Sequence, residues 1–185
     1  FTVKNSSFFA RKYSLNGRST YDIYINKAVS VKYENIRSND LVDYNRWGIM
    51  ATNFSKDVVF DNVYLNHIDA HCGIYNLTVN NSDIGIYSLS VVGQGKLTVN
   101  NTHFYSEQIV RLKGDYGSFW NGDIYISNTS LSYSRVWNSI VTMILNYALE
   151  YDNNSFHDYG YSRRLPNLYI ENLDINNKAN TRHNY

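Results

Sequence analysis

The chain has 185 residues, enough for one domain with its own hydrophobic core. Its 17 Lys and Arg residues balance 16 Asp and Glu residues, and the net charge of +1 excludes the extended basic face of a general nucleic-acid binder. One cysteine excludes an intrachain disulfide, and no apolar run approaches the ~20 residues that cross a membrane. We therefore expect no nucleic-acid partner and no membrane insertion.

The chain opens on a strand pattern, and its composition favours turns. Residues Phe1–Val3 already alternate as a strand does, without a start Met, so we infer a fragment of a longer protein or a processed product. We predict one domain over residues 1–185, with a frayed polar tail over 176–185. The 26 Asn and 18 Tyr residues against a single Pro are unusual for a globular chain, and the repeats described next account for the Asn.

Six segments share one pattern, in which a short alternating strand ends in Asn and an apolar residue follows three positions later. In chain order they are Phe1–Asn5, Phe60–Asn62, Leu77–Asn81, Leu97–Asn101, Ile124–Asn128 and Leu168–Asn172, followed by Phe8, Leu65, Ile84, Phe104, Leu131 and Ile175. A weaker copy runs from Val29 to Ile36, with Tyr33 in the Asn position. Such self-similarity at a fixed period is the signature of a repeat architecture.

The repeat period indicates a β-solenoid. The Asn positions are 19 and 20 residues apart in mid-chain and 27 to 29 apart where a loop intervenes. Leucine-rich repeats need a Leu-rich consensus that is missing, and propeller blades need a longer period. The 44 residues from Asn128 to Asn172 leave room for one degenerate coil over Ile144–Phe156. We therefore predict an all-β parallel β-helix.

The repeated Asn has a physical role in such a fold. Stacked strands lie ~4.8 Å apart, so equivalent residues form a column along the stack. Asn tolerates the left-handed backbone conformation that turns the chain, and its side-chain amide can bond to the amides above and below. We therefore predict an asparagine ladder.

Over nearly its whole length this pattern resembles the pectate-lyase-like superfamily of right-handed parallel β-helices, which includes polysaccharide lyases, polygalacturonase-type hydrolases and bacteriophage tail-spike proteins. The resemblance implies a right-handed, single-stranded parallel β-helix with coils of about 20–29 residues. Arg111-Leu112-Lys113 resembles the Arg-x-Lys of the hydrolases. Their paired aspartates and Gly-His-Gly turn are missing, as is the acidic calcium cluster of the pectate lyases, so the resemblance indicates a fold rather than a chemistry.

A further strand is expected in each coil after the apolar residue. The candidates are Arg46–Met50, Asp69–Ile74, Ser88–Val92, Ile109–Lys113 and Val141–Leu145. Alternation in the middle three directs Ala70, Leu89, Val91, Val110 and Leu112 inward. The same alternation places Asp69, His71, Ser88, Ser90, Arg111 and Lys113 on one outer face.

This outer face is the predicted site. The insertion Gly114–Gly122 would wall it with Asp115, Tyr116 and Trp120. Arg and Lys would hold acidic groups of a saccharide, aromatic rings would stack on sugars, and Asp69 or His71 are the candidates for proton transfer. The alternative is an ordinary solvated sheet face. We expect no metal and no other cofactor, because the chain has one Cys and scattered His residues.

The leading hypothesis is a glycan-recognising β-helix module of a bacterial surface or phage-tail protein that binds cell-surface polysaccharide. One alternative is an enzyme of the same fold, a polysaccharide lyase or glycoside hydrolase. Another is a structural spacer in an adhesin or virion. The hypothesis implies a location on an extracellular surface or a virion, with homo-oligomerisation possible through the parent protein.

Overall fold

The computed structural model describes residues 1–8, 21–38, 41, 48–113, 120–133, 145–148 and 166–177. Within these ranges the chain forms twelve strands and no helix, hence no helix that could cross a membrane. The strands are β1 (Thr2–Phe8), β2 (Tyr21–Asn26), β3 (Val29–Ser38), β4 (Gly48–Asn53), β5 (Lys56–Asn80), β6 (Asp83–Asn100), β7 (His103–Phe104), β8 (Val110–Lys113), β9 (Trp120–Asn121), β10 (Ile124–Tyr133), β11 (Leu145–Ala148) and β12 (Leu168–Asn177). The predicted all-β class is therefore confirmed.

The strands belong to one large parallel sheet. Its main path runs β1, β3, β5, β6, β7, β10 and β12, and every pairing between different strands is parallel. Strand β12 extends to Asn177 and so includes the first two residues of the tail predicted over 176–185. Residues 178–185 lie outside the described part of the chain.

Strand β5 returns to its own start. Its 25 residues would span roughly 80 Å if the strand were straight, at about 3.3 Å per residue. Instead, Asn76 donates from Nδ2 to Asp57 Oδ1 at 2.8 Å. Directly after the strand, Asn81 donates from Nδ2 to Asp61 Oδ1, also at 2.8 Å. The chain therefore bends back upon itself within about 20 residues and lays one segment beside the previous one.

Seven asparagines in equivalent positions turn the stacked segments. They are Asn5, Asn35, Asn62, Asn81, Asn101, Asn128 and Asn172, and their φ angles lie between 47° and 54°. Strand register places each of these asparagines beside the next one in the column. For example, the residues on either side of Asn35 pair with the residues on either side of Asn62. This is the left-handed conformation that Asn tolerates better than other side-chain-bearing residues. The predicted asparagine turn is thus confirmed.

The position assigned to Tyr33 is wrong. Tyr33 pairs with Val3 and Phe60, two residues before the turn, and Asn35 occupies the turn itself. The Tyr33 side chain is fully buried, and its ring stacks on Phe60 with centroids 4.8 Å apart. The aromatic ring therefore belongs to the core, and burial raises the pKa of its hydroxyl.

The amide ladder exists but is interrupted twice. Four bonds join successive column members from Nδ2 to Oδ1: Asn35 to Asn5 (2.8 Å), Asn62 to Asn35 (3.4 Å), Asn101 to Asn81 (2.9 Å) and Asn172 to Asn128 (3.0 Å). At the other two steps, the Nδ2 group donates instead to the residue that precedes the neighbouring asparagine in sequence. Asn81 donates to Asp61, and Asn128 donates to Asn100.

Apolar columns fill the space inside the stacked segments. The predicted apolar residues that follow the turn, Leu65, Ile84, Phe104 and Leu131, pair in register and are fully buried. The residues predicted to point inward from the next strand, Ala70, Leu89, Val91, Val110 and Leu112, are also fully buried. The strands that carry them pair in parallel, so the core is one continuous stack.

The degenerate coil predicted over 144–156 is wrong. Strand β10 pairs directly with β12, so the 44-residue interval is a single step of the stack. The amide of Ile124 donates to Asn167 O at 2.9 Å, which fills the edge of β10 that an intervening coil would need. Strand β11, at the start of the predicted coil, pairs instead with β8.

The turn predicts how Asn101 responds to substitution. Asn101→Ala should lower the free energy of unfolding by about 1–2 kcal/mol, because Ala pays the full cost of the left-handed conformation. Asn101→Gly should cost less, since Gly adopts that conformation freely and loses only the amide bond. Urea denaturation of the two variants measures the difference. Equal losses would show that the amide, rather than the backbone conformation, matters at this position.

Candidate functional site

Three residues of the predicted outer face are buried. Register aligns Asp69, Ser90 and Arg111, as alternation predicts. However, Asp69, Ser88 and Ser90 are buried, with at most 2 % of their surface exposed, and Arg111 is half-buried. The expectation that Asp69, Ser88 and Ser90 face solvent is therefore wrong, whereas Arg111 keeps part of its surface exposed. Alternation identifies the side of the strand a residue occupies but not whether other chain segments cover that side.

Other parts of the chain cover this face. The Tyr21 hydroxyl donates to Asp69 Oδ2 at 2.5 Å, and the amide of Ile86 donates to Leu41 O at 3.0 Å. In addition, His67 Nε2 lies 2.9 Å from Ser90 Oγ, and this contact is buried. Asp69 Oδ2 and Ser90 Oγ thus have partners within a buried polar layer, as burial of polar groups favours. Ser88 Oγ, also buried, has no hydrogen-bond partner among the described residues.

Of the remaining predicted site residues, Trp120 alone has a side chain within the described part of the structure. Trp120 is fully buried in the core, with Gly93 as its register partner. Asp115 and Tyr116 lie outside the described residues, as do the side chains of His71 and Lys113. Trp120 therefore cannot stack on a ligand at the surface.

An open groove lies on a different face, beside the strand that precedes the asparagine turn. Its cavity has a volume of about 220 Å³. Its floor is lined by Val59, Thr78 and Thr98, and one of its edges is lined by Asp57, Asn76 and Lys96. We call it the threonine groove. Its floor side chains are small and only partly buried, so a ligand has access to them.

Bonds within the chain fix the groove edge. Asn76 donates from Nδ2 to Asp57 Oδ1, and its own Oδ1 accepts from the amide of Lys96, both at 2.8 Å. The register here has two residues, Gly95 and Lys96, opposite Asn76 alone, which is a β-bulge. Gly95 has a φ of 91°, a conformation that favours glycine. The bulge thus places the exposed Lys96 at the rim.

A tyrosine pair lies beyond Thr98, next to one end of the groove. Thr98 is followed in register by Tyr125 and then by Tyr169, whose rings stack 4.7 Å apart with an interplanar angle of 9°. Lys96 Nζ lies 4.5 Å from the centroid of the Tyr125 ring, a cation–π contact. Tyr169 is 48 % exposed, which leaves one ring accessible. Partial desolvation and the carboxylate of Asp123 raise the pKa of Tyr125.

A charged cluster lies at the opposite end. Lys32, the register partner of Val59, places Nζ 2.9 Å from Glu34 Oε2 and 3.6 Å from Asp61 Oδ2. The hydrogen bond to Glu34 raises the pKa of Lys32. Lys96, by contrast, forms no ion pair with the described residues. The groove thus runs from Lys32, paired with two carboxylates, to Lys96, which lies over an aromatic ring.

Sequence reasoning missed this groove, although a signal was present. The segments Ile124–Asn128 and Leu168–Asn172 both carry Tyr in their second position. Alternation directs that position outward and stacking places the two rings in one column. The prediction instead followed charged residues of a different strand.

Comparison with protein-family models, with curated proteins and with solved structures finds no match. Among the described residues, no three His, Cys, Asp or Glu side chains are grouped so that they could hold a metal ion. The candidate site therefore stands on the geometry of the chain itself.

The closed polar layer predicts a structural role for Asp69. Asp69→Ala should lower the free energy of unfolding by about 1–3 kcal/mol, because it leaves the Tyr21 hydroxyl without its buried acceptor. The exposed Asp174 is a matched control, and Asp174→Ala should change stability by no more than about 0.5 kcal/mol. Chemical denaturation of both variants tests this, and equal stabilities would contradict a buried role for Asp69.

Proposed function

We propose that this chain is a segment of a right-handed parallel β-helix of the pectate-lyase-like kind. The return of β5 to its own start and the seven equivalent asparagine turns support a continuous coil. Parallel pairing throughout the described strands is what a coil produces, since each coil runs in the same direction as the last. The handedness follows from the general rule that parallel crossover connections are right-handed in ~98 % of cases.

We further propose that the chain binds polysaccharide along the threonine groove. The observation that carries this function is the stacked pair Tyr125 and Tyr169 at the end of an open polar groove. Sugar rings have apolar faces and polar edges, and aromatic side chains combine an apolar face with a polar tip in the same way. An exposed ring next to hydroxyl and amide groups therefore suits a sugar.

The shape of the groove favours an extended chain over a compact ligand. Its floor repeats one small side chain per strand, at the ~4.8 Å spacing of the sheet, and this spacing is close to the length of one sugar unit. Thr78 and Thr98 would each offer a hydroxyl to successive units. At about 220 Å³ the cavity is smaller than the ~300–1,000 Å³ typical of pockets that enclose a drug-sized ligand.

Lys96 indicates a preference for acidic glycans. Its ammonium lies over the Tyr125 ring at the rim and is not paired with a carboxylate of the described chain. A uronate, sulfate or phosphate group of a sugar stacked on the tyrosines could accept a charge-assisted bond from it. This function belongs on an extracellular surface or a virion, where the partner is cell-surface polysaccharide and further copies would come with the parent protein.

The first test removes the exposed ring. Tyr169→Ala should weaken binding to the acidic glycans that the wild-type chain captures on an array by about 0.5–1.5 kcal/mol, the usual contribution of an aromatic contact. Thr78→Trp should abolish binding, since the indole would fill the groove floor. Tyr24, also exposed but on β2, provides the control Tyr24→Ala. Binding that survives both groove variants would rule out the threonine groove.

A second test distinguishes the groove from the face predicted by sequence. Lys96→Ala should weaken binding to an acidic glycan by about 1.5–3 kcal/mol, whereas Arg111→Ala should leave it unchanged, because Arg111 already has a partner within the chain. Titration calorimetry with an acidic glycan from the array measures both. A loss with Arg111→Ala alone would place the site on the strand originally predicted.

A further inference from the structure

A second cleft lies across the asparagine column from the groove. Three successive segments contribute to it, with Asn81 and Asp83, Asn101 and His103, and Asn128 and Ser130, and its cavity has a volume of about 240 Å³. We call it the asparagine pocket. Among the described residues, no Lys or Arg lines it, and it shares no lining residue with the threonine groove. Its chemistry is therefore independent of the site proposed above.

Register places three different polar groups in one line along the pocket. Asp83 pairs with His103, and His103 pairs with Ser130. Neighbouring strands are ~4.8 Å apart, so a carboxylate, an imidazole and a hydroxyl follow one another at that spacing. The exposed amides of the asparagine column run alongside them. The pocket thus presents donors and acceptors in alternation, without a cation.

Two contacts orient the imidazole of His103. Its Nδ1 lies 2.5 Å from Ser130 Oγ, and its ring meets Tyr105 edge to face, with centroids 4.3 Å apart. Within the described residues no hydrogen bond engages Nε2. The ring is therefore held by one nitrogen and can offer the other to a ligand.

Asp83 is held in a similar way. The Tyr105 hydroxyl interacts with the Asp83 carboxylate, and the pKa of Tyr105 is raised by partial desolvation and by this carboxylate. A tyrosine hydroxyl is protonated at neutral pH and can donate to this carboxylate. A carboxylate has about four acceptor positions, so Asp83 retains acceptor capacity towards the pocket.

We propose that the asparagine pocket binds one neutral sugar unit through its hydroxyl groups. Each sugar hydroxyl is both a donor and an acceptor, and it could donate to Asp83 while it accepts from an asparagine amide or from His103. The Asp83 carboxylate repels uronate, sulfate and phosphate groups, since no cation among the described residues lines the pocket to offset its charge. The proposal rests on the proposed function only in taking the ligand to be a saccharide.

The experiment uses the whole chain and an array of matched neutral and acidic glycans. Asp83→Ala and His103→Phe should each reduce binding to a neutral glycan at least tenfold, whereas Tyr169→Ala should not. Glu171→Gln, which removes an exposed carboxylate elsewhere, is the control and should leave binding unchanged. Asp83→Asn keeps the size of the side chain, and thermal melts of all the variants establish that they are folded.

The outcomes separate the two sites. If no neutral glycan binds, or if neutral binding depends on Tyr169 and not on Asp83, the pocket proposal is overturned while the groove stands. If no glycan of either kind binds, both proposals fail. Neutral binding that is lost with Asp83 or His103 and kept without Tyr169 supports the pocket as a second, separate site.

Discussion

The left-handed turn at the repeated asparagine is the constraint on which the rest of the structure depends. A strand has a side-chain period of two, so a slip of one residue between neighbours would move every core residue to the surface. Seven turns with nearly equal φ angles hold the segments in one register. That register keeps Leu65, Ile84 and Phe104 in one buried column. It also lines up the outward side chains that form the groove and the pocket.

The fold could be predicted where local pattern and register agree. The copies from Leu77, Leu97 and Ile124 alternate cleanly and end in Asn, and the structure aligns them as expected. Prediction failed where spacing was the guide. Tyr33 lay at about the right interval but two residues from the true turn, Asn35. The long interval before Asn172 suggested an extra coil. Sequence length alone cannot show which strand a long connection pairs with, and β11 pairs with β8.

The candidate site was harder to predict for a physical reason. Alternation correctly placed Asp69 and Ser90 opposite the inward residues, but it carries no information about coverage from distant parts of the chain. Tyr21, 48 residues before Asp69 in sequence, bonds to its carboxylate. Charged and polar residues drew the prediction there because they are the usual carriers of chemistry. The tyrosine column was less conspicuous, since each ring taken alone looks like an ordinary exposed aromatic residue.

The two clefts share a design that follows from the stack. Each is shallow, extends over three stacked segments and repeats a polar contact at the strand spacing. A compact ligand would touch only part of such a surface, whereas a polymer of similar repeat could engage several segments at once. Individually weak contacts then add up because they are linked along one ligand polymer. The second contact becomes intramolecular once the first has formed. Lys96 on one side and Asp83 on the other would let a single stack distinguish acidic from neutral units.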